Sequence, residues 1–342
     1  MPSPSAAPSA GVIAVGDAQD EVRRRYRDRL VAAVESRSAL ERVLCDLSEG
    51  LVTCVGPWPT LTVGVSEVLA EWAAENPARG CGVLPLWPKP RGQSLQPTRS
   101  QAERSTVALL WSGTELFDGG FVSPEGYQRA SEQAVCRAVT SAHPPIAAAA
   151  TGHGAEHCIR FGSRWLVSDQ RLAPPGDTFP PARIGCPVVF LNCCSSARLG
   201  DCGIPQRYSL AATLGRRGKA VIGSFRNLHA VPQAGVEFAR TLLSGTPLGQ
   251  VVNAVNRASA SWGESRPTFQ LIGDAAQSWC APAEAGALER PHPVVAAQLL
   301  LPLSLAWLDK LVATLCHWRT LGDGVQKAHG NMLAAERALC MA

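Results

Sequence analysis

Residues 187–196 read Pro187-Val188-Val189-Phe190-Leu191-Asn192-Cys193-Cys194-Ser195-Ser196. Val188 to Leu191 is an uninterrupted β-branched, aromatic and aliphatic run, the pattern of a short strand buried on both faces of a parallel sheet. Such a strand delivers Cys193 and Cys194 to its carboxyl end, where open α/β sheets bind their ligands. A second small apolar run, Ile146 to Ala150, ends in Thr151-Gly152-His153-Gly154. Two such strands lying side by side and parallel would bring an imidazole and a thiol together across one sheet edge.

Strands and helices alternate around this pair in the order that builds a parallel sheet. Strands are predicted at Val107–Trp111, Ile146–Ala150, Val188–Leu191, Ala220–Ser224 and Phe269–Ile272, with a hairpin of Cys158–Phe161 and Arg164–Val167 about Gly162-Ser163. Helices are predicted at Pro124–Thr140, Ser209–Arg216 and Pro232–Leu243; Gly245 ends the last, and Thr246 as N-cap with Pro247 at the first position opens another. The sheet-forming block therefore runs over 105–280.

Outside it, residues 1–18 form a Pro/Ser/Ala-rich tail expected to be disordered. Val22, Tyr26, Leu30 and Val34 recur at helical spacing, predicting one helix from Asp20 to Leu47, with Arg23, Arg24, Arg25, Arg27 and Arg29 on a solvated face. Leu51–Val55 and Thr60–Val65 read as strands about Gly56-Pro57, and Ser66–Glu75 as a helix. Residues 19–100 are thus expected to be an accessory α/β region, with Trp58, Trp72 and Trp87 in its core and Pro85–Ser100 as a linker. Residues 285–342 are expected to be a helical appendage. Its apolar stretch Val294–Leu308 holds Gln298 and Pro302 and is shorter than the ~20 residues a membrane span needs, so it reads as a buried helix.

Composition narrows the function. With 342 residues and 46% hydrophobic content the chain can bury a large core, and a net charge of +4 with the bases scattered disfavours nucleic acid as the main partner. The amino terminus shows neither a basic n-region nor a sustained apolar h-region, so the 12 cysteines are expected to be reduced in a cytoplasmic protein. Cys158, Cys186, Cys193, Cys194 and Cys202 include no Cys-x-x-Cys pair, and no metal or cofactor is expected.

A thiol with a reference pKa near ~8.5 is only a few per cent thiolate at neutral pH, so a cysteine nucleophile needs a neighbouring base or cation. His153 fits that role, and Gly152 and Gly154 would let the backbone approach a substrate closely. Strand alternation lets only one of Cys193 and Cys194 face the histidine.

TGHG, WLVSDQRL, LNCCSSA, SLAATLGRRGKAVIGS, FARTLLSGTPLGQVVNAVNRA and FQLIGDA occur in that order over about half the chain. The set resembles a CHAT-type domain of the caspase-like cysteine peptidases, although the Gln-Ala-Cys signature of close caspases is absent. The resemblance implies a caspase-like α/β/α sandwich with a mostly parallel central sheet, a His153/Cys194 dyad that cleaves peptide bonds, and an oxyanion hole formed by the amides of Gly154 and Cys194. LNCCSSA aligns with the family's Leu-Asn-Ser-Cys-x-Ser, putting Cys193 at the small position. Asn192 stands where relatives that cut after Lys or Arg often carry an acid, which puts a basic specificity in doubt. Asp201, Asp169 and Asp177 are other candidate pocket acids, each also readable as a turn or cap residue. By analogy the substrate is a specific protein, such as a gasdermin-like effector of a bacterial defence module, with a sensor or activator as a further partner and no membrane or nucleic acid. Two other readings stand beside it: an inactive caspase-like scaffold, and a redox-responsive protein using the vicinal Cys193-Cys194 pair.

Overall fold

The computed structural model describes residues 10–48, 50–86, 106–112, 117–199, 205–228, 232–260, 264 and 266–279. All of these fall within the first of the two units into which the chain divides, residues 1–288. In chain order the elements are β1 (Ala10–Val15), α1 (Gln19–Arg25), β2 (Leu30–Val34), α2 (Arg37–Cys45), β3 (Gly50–Gly56), α3 (Val63–Ala74), β4 (Arg79–Pro85), β5 (Val107–Ser112), β6 (Phe117–Ser123), β7 (Gly126–Arg129) and α4 (Glu132–Val139). There follow β8 (Ala147–Gly152), β9 (Gly154–Ala155), β10 (Cys158–Phe161), β11 (Arg164–Val167), β12 (Thr178–Phe179), β13 (Val188–Asn192), α5 (Leu210–Gly215), β14 (Ala220–Ser224), α6 (Pro232–Leu243), α7 (Leu248–Ser259) and β15 (Phe269–Ile272).

One eleven-stranded sheet takes the order β2-β1-β3-β4-β15-β14-β13-β8-β5-β6-β7, and a four-stranded sheet takes β12-β11-β10-β9. β5, β8, β13 and β14 are parallel neighbours, as their unbroken apolar runs predict. β15 pairs antiparallel to β14 and parallel to β4. The strands β1 to β4 therefore run opposite to β13, and β15 is the seam where the sense reverses. The sheet crosses the position expected as a domain boundary: β3 and β4, from the region read as accessory, continue the sheet whose strand β13 leads into Cys194.

Several elements differ from expectation. Ala10–Val15, placed in the disordered tail, is an inner strand, because Val12, Ile13 and Ala14 are fully buried between β2 and β3. The single helix Asp20–Leu47 is α1, β2 and α2: Ser36 caps a fresh helix start by accepting the Ala39 amide at 3.2 Å, and the apolar Leu30–Val34 segment pairs with β1. Thr60–Val65 is not a strand but a 3-10 turn leading into α3. Pro124–Thr140 divides into β7 and α4, with Ser131 capping α4 through the Ala134 amide. α7 starts one residue later than expected, with Pro247 as its N-cap, while Thr246 shares a hydrogen bond with Ser244. Trp58 and Trp72 are buried as predicted. Trp87, most of the linker and the whole 285–342 region lie outside the described residues.

α6 and α7 cover the sheet. The run Ala147–Ala150 on β8 gives α6 a flat seat, where a Cβ added at Gly235 would come into ordinary contact with Ala149 and Thr151. α7 ties the two strand blocks together: Asn253 Nδ2 lies 2.8–2.9 Å from the carbonyls of Ala73, Asn76 and Arg79, which share its two protons, and Asn256 bonds the backbone of Thr268 and Phe269. Buried backbone carbonyls of the α3–β4 connection are thereby satisfied from across the seam.

Candidate functional site

β8 and β13 are adjacent and parallel, with Thr151 opposite Asn192. Asn192 is fully buried and its Nδ2 donates to Thr151 Oγ1 at 3.1 Å, so the last rung between the strands is a side-chain bond as well as a ladder pair. Gly152-His153-Gly154 leaves one strand and Cys193-Cys194 leaves the other, at the same edge. The sequence expectation that these two turns are neighbours is met by the topology.

The two turns are built differently. Gly154 opens β9 and pairs with Ile159 of β10, and Arg160 N donates to the His153 carbonyl at 2.8 Å. The hairpin thus fixes the backbone of His153 while its imidazole is exposed. After β13 the chain turns through Cys193 to Ala197. Ser195 takes φ 53°, a left-handed conformation uncommon outside glycine; its amide donates to the Arg226 carbonyl at 2.9 Å and its Oγ to Asn227 Oδ1 at 3.1 Å. Ser196 Oγ donates to the Leu191 carbonyl at 2.7 Å and accepts the Ser224 amide at 3.0 Å, closing the turn onto β14.

The thiols have unlike surroundings. Cys193 is 0% exposed and lies under Gly154, where an added Cβ would be 2.4 Å from Cys193 Sγ. Burial pushes its pKa far up, against a smaller lowering from Ser196. Cys194 is half-buried, and its Sγ donates to the Leu228 carbonyl at 3.5 Å. Among the described residues no hydrogen bond joins His153 to Cys194. The structure brings the two turns to one edge without pairing the side chains. Catalytic hydrogen bonds are often unformed until substrate is bound.

Of the candidate pocket residues, Asn192 is the buried strand tie already described, and Asp201 lies outside the described residues. Asp169 caps a 3-10 turn and is pulled to about 2 by hydrogen bonds from the Arg171 side chain and amide. Asp177 is exposed, and its carbonyl accepts the Trp165 amide at 2.8 Å. Among the described residues no group of three metal-ligating side chains converges, and no helix is long and apolar enough to cross a membrane.

Residues to which sequence reasoning gave no role surround the cysteine turn: Arg226, Asn227, Leu228 and Gln270 each bond it, the first three lie outside the quoted segments, and Gln270 lies within FQLIGDA. The left-handed Ser195 also leaves no sequence mark.

No protein-family profile matches the chain, and no curated protein sequence matches it. A solved structure described as "Structure of Protease" has a similar fold, with a TM-score of 0.51 and 12% identity over 79% of this chain and 78% of its own. At that identity the likeness concerns fold alone. The chain has a mixed α/β fold with a central sheet and flanking helices, distantly similar to that of a protease.

Proposed function

We propose that the chain is a cysteine endopeptidase of the caspase-like type, with Cys194 as nucleophile and His153 as general base. The observation that carries the reading is the register Asn192 opposite Thr151, which starts the cysteine turn and the histidine turn from neighbouring parallel strands at one edge. Burial favours Cys194 over Cys193, since a nucleophile must be reachable and Cys193 is sealed beneath Gly154. The raised pKa of Cys193 also weighs against a redox role for the vicinal pair, which needs an accessible thiol of lowered pKa.

In the proposed reaction His153 takes the Cys194 proton and the thiolate attacks the scissile carbonyl. The amides of Gly154 and Cys194 would donate to the oxyanion, an interaction whose loss typically costs about 3–4 kcal/mol of barrier stabilisation. The C–N bond then breaks as the imidazolium protonates the leaving amine, and water hydrolyses the thioester with the same imidazole as base. The substrate is proposed to be a specific protein, by analogy a gasdermin-like effector of a defence module. A non-catalytic scaffold is the second reading, favoured by the Cys194 thiol bonding Leu228 instead of His153.

Incubating the full-length protein with proteins encoded beside it, and mapping new termini by mass spectrometry, tests the proposal. Cleavage lost in Cys194→Ala and retained in Cys193→Ala supports it. The reverse pattern moves the nucleophile to Cys193, and cleavage by neither wild type nor variants favours the scaffold.

A further inference from the structure

The cysteine turn is held from the far strand block by two polar relays. In the first, Glu67 on α3 pairs with Arg226 at 2.6 Å, both side chains being three-quarters or more buried. The Arg226 carbonyl accepts the Ser195 amide, and the next residues, Asn227 and Leu228, accept from Ser195 Oγ and Cys194 Sγ. In the second, Ser66, adjacent on the same helix, donates to Gln270 Oε1 at 2.5 Å, and Gln270 Nε2 donates to the Ala197 carbonyl. Ser66 and Gln270 are both buried, at 1% and 3% exposure. Hydrogen bonds at such sites are costly to leave unmade, so these two contacts constrain the turn on both sides of Ser195. Glu67 has a second, exposed partner, Arg37 at 3.3 Å, which does not touch the turn.

We propose that Glu67, through Arg226, and Gln270, held by Ser66, are positioning residues for Cys194, which makes the amino-terminal strand block part of the peptidase and not an appendage. The inference rests on the cysteine-peptidase reading. A largely buried ion pair on a turn that must hold a left-handed serine adds a side-chain restraint to those of the turn's own backbone.

The test is the rate of Cys194 alkylation by iodoacetamide as a function of pH in the full-length protein, resolved to Cys194 by peptide mass spectrometry, with thermal melts on the same samples. Glu67→Ala and Gln270→Leu are expected to slow alkylation at neutral pH on the order of tenfold, because a thiol displaced from the edge it shares with the histidine turn is carried out of reach of the His153 imidazole. Glu67→Gln, which keeps shape and one hydrogen bond, is expected to fall between them and wild type, and Arg37→Ala to match wild type. His153→Ala separates the inference from the reading beneath it. If His153→Ala slows alkylation while Glu67→Gln, Glu67→Ala and Gln270→Leu keep the wild-type profile in folded protein, the positioning roles are overturned and the dyad stands. If the Glu67 and Gln270 variants slow alkylation and His153→Ala does not, the positioning stands and the dyad falls. Unchanged profiles in all variants overturn both.

Discussion

Asn192 and Thr151 face each other across the last rung of β13 and β8, joined by a 3.1 Å bond between two buried side chains. The segments proposed to do chemistry at this edge, Gly152-His153-Gly154 and Cys193-Cys194, start from these two residues. The rung therefore sets the separation of the histidine and cysteine turns. Asn192→Ala is expected to lower stability by about 1–3 kcal/mol, because it removes the donor to a buried hydroxyl. Urea unfolding measures this; a change within error of zero would mean that the rung does not hold the strands.

Gly154 is where the histidine turn meets the cysteine turn most closely. A methyl there would lie 2.4 Å from Cys193 Sγ and 2.6 Å from the Cys158 carbonyl. Gly154→Ala should therefore destabilise by about 1–3 kcal/mol, as overpacking of a dense core does. Adding Cys193→Ala should recover part of that loss, since it removes the sulfur but not the carbonyl. Additive effects in the same unfolding assay would show that the two turns do not touch there.

The strand–turn logic of the site was legible in the sequence, whereas its supports were not. Val188–Leu191, Ala220–Ser224 and Phe269–Ile272 announced themselves as buried strands because each is a short apolar run bounded by turn residues. Leu30–Val34 did not, because LVAAV between arginine-rich segments fits a helical spacing as well as a strand, and pairing with β1 decides the outcome. Ser36 was the available signal, a cap in the middle of the supposed helix. The ties that cross the seam, Glu67 to Arg226 and Asn253 to Ala73, join residues 159 and 180 positions apart. Local periodicity carries no trace of such contacts, and for that reason residues 19–100 read as an accessory region.

Ser195 gives a conformational test of the cysteine turn. At φ 53° a β-branched side chain is strained and glycine is not. Ser195→Val is expected to cost at least about 1–3 kcal/mol, whereas Ser195→Gly should lose no more than the single bond to Asn227, about 1 kcal/mol. Thermal melts of the two variants check the order; equal melting temperatures would contradict the left-handed turn.

The seam has a pH signature. Burial raises the Asp274 carboxyl, but hydrogen bonds from Arg29, Ala276 and Thr53, with the Arg29 charge, hold it below its ordinary value. A carboxylate depressed in the folded state contributes stability that is complete above its unfolded pKa, near ~4, and that disappears as pH falls through the folded value. The stability gap between wild type and Asp274→Asn should accordingly be widest at neutral pH and close below about pH 4. A gap independent of pH would remove the ion pair from the account.

The central claim is that His153 and Cys194 act as one unit, and the cleavage rates of four proteins test it most directly: wild type, His153→Ala, Cys194→Ala and the double variant. A fluorogenic peptide mixture with every residue represented before the scissile bond serves as substrate, and melts are recorded in parallel. Groups that serve the same nucleophilic attack are strongly non-additive. Each single variant should therefore lose nearly all cleavage while remaining folded, and the double variant should be little worse than the worse single one. Cleavage by folded His153→Ala at a rate near wild type would contradict the dyad.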